Sequence, residues 1–146
     1  MENDIKLTRT KLHENAMICL YQHLFYATLE KKYRKLLPEI ITDVMEVPFD
    51  ECDDFFKKIV FLAVKNKKEY VEIISNHLAA GWKFNRLSLI ERAILLLFTS
   101  EIINNLVECH VAIDVGVDLA KRYCDDNSYK FINAILDKIG LEYAKK

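Results

Sequence analysis

Apolar residues recur along this chain at helical spacing, and the pattern predicts about seven α-helices. The first helix should run from about Thr8 to about Lys35. Its apolar stripe comprises Leu12, Ala16, Leu20, Leu24 and Ala27. Pro38 suits the first turn of a short second helix, and Pro48 marks the next break.

The middle of the chain predicts three more helices. Asp50 is a good N-cap for the third, whose buried face should contain Phe56 and Ile59. Gly81 should end the fourth. Ser88 and Glu91 have the spacing of a capping box and should open a fifth helix over residues 89–103. That helix is apolar on most sides, so we expect it at the centre of the bundle.

Two amphipathic helices follow between residues 110 and 140, joined by a short polar corner at residues 125–128. A group of cationic, amide and phenol side chains surrounds this corner and contains no catalytic residue. The group consists of Lys121, Arg122, Asn127, Tyr129, Lys130 and Asn133. Such a mixture suits the binding of a phosphate backbone and bases better than it suits chemistry.

Composition supports one all-α domain over residues 1–146. The chain has three glycines and two prolines, and no glycine occurs before position 81, whereas sheets with many tight turns need glycine. The four cysteines form no Cys-x-x-Cys pair, and no signal peptide or long uncharged apolar run is present. We therefore expect a cytoplasmic protein that is not a membrane protein. No catalytic, metal or nucleotide-binding motif occurs, so we expect neither an enzyme nor a cofactor.

Net charge is −1, but the charges are unevenly distributed. Residues 38–56 carry seven acids and no base, whereas residues 57–87 carry seven bases and two acids. The near-neutral total therefore does not exclude an anionic ligand, because a local basic face can bind nucleic acid while another face meets a protein. Solvated helix faces of mixed sign remain the alternative.

Four stretches of the sequence resemble the NusB family of bacterial transcription antitermination factors. They read Ala-Met-Ile-Cys-Leu-Tyr (16–21), Ile-Glu-Arg-Ala-Ile-Leu-Leu (90–96) with Ser-Glu (100–101), Val-Ala-Ile-Asp (111–114) with Asp-Leu-Ala-Lys (118–121), and Ser-Tyr-Lys-Phe-Ile-Asn-Ala-Ile-Leu-Asp (128–137). The last stretch is the most specific, and the order and spacing of all four strengthen the match.

The resemblance implies a seven-helix bundle in two packed halves. It also implies binding to the single-stranded boxA element of ribosomal RNA leaders, as a heterodimer with the small-subunit ribosomal protein that doubles as NusE, within an antitermination complex on RNA polymerase. Some relatives self-associate, so a homodimer is possible.

Two groups of residues are candidates for these contacts. The candidate RNA-binding residues are Lys6, Arg9, Lys11, His13, Lys121, Asn127, Lys130 and Phe131, and the candidate partner-binding residues are Tyr21, Phe25 and Glu91. Structural alternatives stay open at each: a solvated terminus for the first four, core packing for the aromatic residues, helix capping for Asn127, and a capping box with Ser88 for Glu91.

Two other functions remain possible. The amino-terminal cations are interrupted by leucine and threonine residues and are weaker than the arginine-rich start that the family usually has, which favours a protein–protein interaction module with little RNA binding. NusB-like domains also occur fused to ribosomal RNA methyltransferases, so a stand-alone relative of such an accessory domain is the third possibility.

Overall fold

The computed structural model describes the backbone of residues 2–144 and the side chains of residues 9–144, so the predicted RNA contact of Lys6 lies outside the described side chains. Within these residues the chain forms seven α-helices and no strand. The helices are α1 (Glu2–Ala27), α2 (Leu37–Met45), α3 (Asp54–Lys65), α4 (Lys67–Ser75), α5 (Leu89–Ile103), α6 (Cys109–Tyr123) and α7 (Asp126–Tyr143). The predicted all-α bundle is confirmed.

Helix α5 forms the centre of the bundle, as predicted. It packs against five other helices, α1, α3, α4, α6 and α7. Every residue from Ala93 to Ile102 is buried. A continuous apolar helix of this kind needs neighbours all round, which is why the other helices collect around it. The approach of α6 is close, because a Cβ added at Gly116 would lie 3.0 Å from the Phe98 ring.

Four predicted helix bounds were wrong. Helix α1 begins at Glu2 and not near Thr8. Helix α1 ends at Ala27, where its apolar stripe ends, and not near Lys35; the exposed residues that follow form a 3₁₀ turn at Lys31–Tyr33. Asp50 lies in another 3₁₀ turn, and Asp53 caps α3 by accepting the Phe56 N–H at 2.9 Å. Helix α4 ends at Ser75, before Gly81.

The start of α5 is confirmed in detail. The Ser88 hydroxyl accepts the Glu91 N–H at 3.1 Å, and the Glu91 carboxylate accepts the Ser88 N–H at 2.8 Å. The start of α7 differs from the prediction for Asn127, because Asp125 is the cap and accepts the Ser128 N–H at 2.9 Å. Asn127 lies in the first turn of α7 and is exposed.

Candidate nucleic-acid interface

A groove between α1, α6 and α7 brings together cations from opposite ends of the chain. Its volume is about 670 Å³, and we call it the α1–α6 groove. Its polar lining residues include Arg9, Asp114, Asp118, Lys121 and Asn133. Arg9 lies on α1 and Lys121 on α6, so the packing of α6 alongside α1 brings these two candidate RNA-binding residues to one groove.

The cations of this groove share it with carboxylates. Asp114 and Asp118 are exposed on α6, two turns and one turn before Lys121, respectively. The Lys121 ammonium lies 5.1 Å from the centre of the Tyr129 ring, which holds it at the α6–α7 corner. The local field is therefore mixed, with its positive part at the corner rather than along the whole groove.

Lys130 occupies the ridge of α7 between two grooves. Successive helical residues turn by about 100°. This spacing places Lys130 between Asn133, on the α1–α6 groove, and Asn127, on the groove behind α7. Lys130 is exposed and has no ion-pair partner among residues 9–144.

The groove behind α7 lies between α7 and the loop that joins α4 to α5. We call it the tryptophan groove, and its volume is about 680 Å³. Trp82, Arg86, Asn127, Phe131 and Lys138 are among the residues that line it. Phe131 is half-buried, so it contributes to the core and also presents part of its ring to this groove.

A hydrogen-bonded network joins the starts of α5 and α7 at the end of this groove. The Ser128 hydroxyl lies 2.8 Å from Glu91 Oε2 and 2.9 Å from Asp125 Oδ1, and its single proton can be donated to only one of them. Hydrogen bonds from the backbone and the hydroxyl of Ser128 lower the pKa of Asp125. The network fixes the corner from which Asn127 and Lys130 project.

Cys124 lies beside this network and remains a thiol. Burial, followed by the nearby carboxylates of Glu91 and Asp125, raises the pKa of Cys124 to about 11. Burial similarly raises the pKa of Cys19 to about 12. A thiol needs a lowered pKa to act as a nucleophile near neutral pH, so neither cysteine is suited to catalysis.

The predicted phosphate contact by His13 was wrong. His13 is 1% exposed and stacks on Phe98, with ring centres 5.5 Å apart. Its Nε2 lies 2.7 Å from the buried Glu101 carboxylate and its Nδ1 lies 2.8 Å from the Arg9 carbonyl oxygen. The contact with Glu101 is an ion pair by distance but is poorly aligned as a hydrogen bond. A ring with an acceptor at each nitrogen is enclosed in the core and cannot reach RNA.

This arrangement favours the charged form of His13. Burial lowers the pKa of His13, but the carboxylate of Glu101 and the carbonyl of Arg9 together outweigh it, so the pKa is raised. Both ring nitrogens face oxygen acceptors, and only the imidazolium can donate from both. The residue is therefore one half of a buried ion pair between α1 and α5.

A second ion-pair cluster uses two cations that sequence pattern alone would assign to RNA. Glu14 is nearly buried; its carboxylate pairs with Lys11 at 3.1 Å and with Arg122. Burial raises the pKa of Glu14, but the contacts with Lys11 and Arg122 lower it by more. Lys11 remains well exposed, so it can still approach a phosphate, whereas Arg122 joins α6 to α1.

The candidate partner-binding residues lie on two separate helices. Tyr21 is half-buried against the core, and Phe25, one turn later, is 44% exposed and packs edge-on against Tyr26. Glu91 is half-buried and holds the capping box described above. Of these three residues, Phe25 is the most exposed and therefore the most accessible to another protein.

Sequence reasoning missed the tryptophan groove. Trp82 and Arg86 lie in the loop between α4 and α5, and Lys138 is exposed on α7, so none of them belongs to a recognisable motif. The one available signal is an isolated tryptophan directly after a glycine. Among the residues that the structure describes, no group of histidine, cysteine and acidic side chains is suited to a metal ion, and no helix is long and apolar enough to cross a membrane.

Comparison with known proteins gives a consistent result. The model of the NusB family matches residues 10–140. The transcription antitermination protein NusB of Enterococcus faecalis is 31% identical over 144 residues, which cover 92% of this chain and 90% of that protein. The NusB of Bacillus licheniformis is 38% identical over 90 residues, which cover 61% of this chain and 69% of that protein.

Solved structures agree with the sequence matches. The structure of NusB from T. maritima superposes with a TM-score of 0.78 and 29% identity, covering 94% of this chain and 93% of that one. A chain in the crystal structure of antitermination factors NusB and NusE in complex with dsRNA gives a TM-score of 0.75 and 27% identity, covering 92% of this chain and 97% of that one. Since the family model spans most of the sequence and the fold agrees over nearly all of it, the chain belongs to the NusB family.

Proposed function

We propose that this protein is a non-enzymatic transcription antitermination factor that binds boxA-like single-stranded RNA together with a small-subunit ribosomal protein of the NusE type. The convergence of Arg9 and Lys121 on one groove, beside Lys130 on the ridge of α7, carries the proposal. Family membership and the relative that binds NusE and dsRNA support it. Such a protein acts in the cytoplasm, on the transcribing polymerase.

The geometry suggests how a single strand is held. Arg9, Lys121 and Lys130 contact backbone phosphates, and Asn127 and Asn133 offer amide groups to bases on either side of the α7 ridge. Phe131 offers a ring face to a base in the tryptophan groove, across the α7 ridge from the α1–α6 groove. The carboxylates in the α1–α6 groove limit the number of phosphates that can approach, so binding by the protein alone is moderate and the partner strengthens it.

Fluorescence anisotropy of a labelled boxA-like oligoribonucleotide tests this proposal, with and without the purified ribosomal protein. The double variant Arg9→Glu, Lys130→Glu should weaken binding. It should also flatten the dependence of log affinity on log salt by about 1.4, because each phosphate that the protein no longer neutralises removes about 0.7 from the slope for a single strand.

The matched control is Lys58→Glu, Lys68→Glu, which changes net charge equally at exposed sites on α3 and α4. Equal effects of the two double variants would show that net charge, and not this face, governs binding. Partner binding without any RNA binding would instead support the protein–protein interaction module.

A further inference from the structure

The only tryptophan of the chain is exposed in the tryptophan groove. Trp82 is 59% exposed and lines the same cavity as Phe131 of α7, so two planar side chains border it. Large aromatic residues are usually mostly buried, because their hydrophobic surface is costly to leave in water. An exposed indole beside a cavity therefore suggests a ligand with a flat face.

The backbone holds Trp82 in place. Gly81 has φ +87°, which an L side chain rarely adopts, and the Trp82 N–H donates to the Ala79 carbonyl at 3.0 Å. After it the chain forms a 3₁₀ turn at Phe84–Arg86, fixed to the core by the buried side chains of Phe84 and Leu87. The indole therefore projects from an anchored turn, which reduces the entropy lost when a ligand stacks on it.

The groove contains two cations without an ion-pair partner in the described part of the chain, beside two carboxylates that cap helices. Glu91 and Asp125 already accept hydrogen bonds from Ser88 and Ser128 at the starts of their helices. The guanidinium of Arg86 and the ammonium of Lys138 have no side-chain partner within residues 9–144. The two carboxylates keep their charge but are held at the starts of their helices by these hydrogen bonds, whereas the two cations have no ion-pair partner among the described side chains and are available to the phosphates of a ligand.

His77, the remaining titratable group of the lining, pairs with Glu142 at 2.9 Å.

We propose that the tryptophan groove binds a nucleobase of single-stranded RNA, with Trp82 as the stacking platform and Arg86 and Lys138 on the flanking phosphates. The inference rests on the proposed function and extends it. The tryptophan groove includes Asn127 and Phe131, two of the candidate RNA-binding residues, and lies across the α7 ridge from the α1–α6 groove. Its volume of about 680 Å³ is in the usual range for pockets that enclose flat organic ligands. Aromatic stacking and backbone cations are the usual means of holding single strands.

Because Trp82 is the only tryptophan, its fluorescence reports directly on the groove. Addition of the boxA-like oligoribonucleotide should quench this fluorescence, with the same midpoint as the anisotropy of the labelled RNA. Trp82→Ala should weaken RNA binding about tenfold, as expected for the loss of a stacked base, whereas Trp82→Phe keeps a planar ring and should lose less.

Tyr33→Ala is the matched control, because Tyr33 is equally exposed at 60% but lies between α1 and α2. Its RNA affinity should be unchanged. Arg86→Gln with Lys138→Gln should lower the salt slope while quenching persists. Unchanged melting temperatures would show that each variant is folded.

The outcomes separate this inference from the function on which it rests. RNA binding by anisotropy without quenching, and with full affinity of Trp82→Ala, would overturn the groove but keep the proposed function. Absence of RNA binding by the unmodified protein would overturn both. A change of Trp82 fluorescence with the ribosomal protein alone, and none with RNA, would assign the groove to the protein partner and overturn the inference.

Discussion

Two histidine–glutamate pairs in this protein have similar chemistry and opposite surroundings. His13 and Glu101 are 2.7 Å apart, and their side chains are 1% and 0% exposed. His110 and Glu108 are 3.4 Å apart, and theirs are 72% and 77% exposed. A buried pair that loses one member leaves an uncompensated charge in the core, whereas an exposed pair is already solvated. The comparison indicates that burial, and not residue type, decides how strongly the fold depends on a charged pair.

The same contrast applies to neighbouring cations. Arg122 pairs with the nearly buried Glu14 and joins α6 to α1, whereas Lys121, the residue before it, faces the α1–α6 groove. On α1, Arg9 faces that groove and His13, one turn later, lies in the core. On each of these two helices, neighbouring basic residues therefore divide between a structural ion pair and a groove that a ligand can reach.

The largest expected effect comes from breaking the buried pair. His13→Ala should lower the free energy of unfolding by about 3–5 kcal/mol, because Glu101 would remain buried without its counter-charge. Urea denaturation measures the loss. His110→Ala is the control and should give no measurable change. Equal stabilities of the two variants would contradict the role assigned to burial.

A smaller effect should appear in the dependence of stability on pH. The raised pKa of His13 means that its contribution is complete below pH 6.5, the ordinary value, and is lost as pH rises through the folded-state pKa. Burial, and then the charge of Lys67, lower the pKa of His23 to about 4, so the unfolded chain takes up this proton first and stability falls as pH drops from 6.5 towards 4.

The free energy of unfolding should therefore be greatest near pH 6.5. Each histidine should change it by at most about 1.4 kcal/mol per pH unit on its side of this maximum. Urea midpoints across this range measure it. His13→Gln should flatten the alkaline side and His23→Gln should reduce the slope of the acidic side. A profile that these variants leave unchanged would show that other groups control the pH dependence.

The smallest expected effects distinguish Lys121 from Arg122. Arg122→Ala should cost about 0.5–1 kcal/mol of stability, since the guanidinium is half exposed and screened, and should leave RNA affinity unchanged. Lys121→Ala should leave stability unchanged and lower the RNA salt slope by about 0.7. Thermal melting and anisotropy at several salt concentrations test both. The reverse assignment would show that the α1–α6 groove is not the ligand-facing side.

Features set by neighbouring residues were predictable from sequence. The capping box of Ser88 and Glu91, the bounds of α5 and its central position were all predicted and found, because a cap depends on residues three apart and an apolar helix must be covered. The errors in helix capping arose where two nearby residues can each cap the same helix. Asp125 and Asn127 can each cap a helix, and the choice depends on where the apolar face of α7 begins, with Ser128, Ile132, Ile135 and Leu136 buried.

The candidate site was predictable in part. Its RNA and partner contacts remain predictions, and the arrival of Arg9 and Lys121 at one groove followed from the resemblance rather than from spacing. The burial of His13 could not be read from its own helix, because it sits among exposed basic neighbours and its counter-charge lies on α5. The tryptophan groove combines a loop before α5 with one face of α7, and no short sequence window contains both.

By itself, the sequence determined that the chain forms helices, which of them is central, and which family pattern it carries, because these depend on periodicity, capping and residue identity along the chain. Only the tertiary structure decided which charges are used up in the core and which are left for a ligand. The physical reason is that desolvation and ion pairing depend on distances between residues far apart in sequence, such as His13 with Glu101 and Arg122 with Glu14.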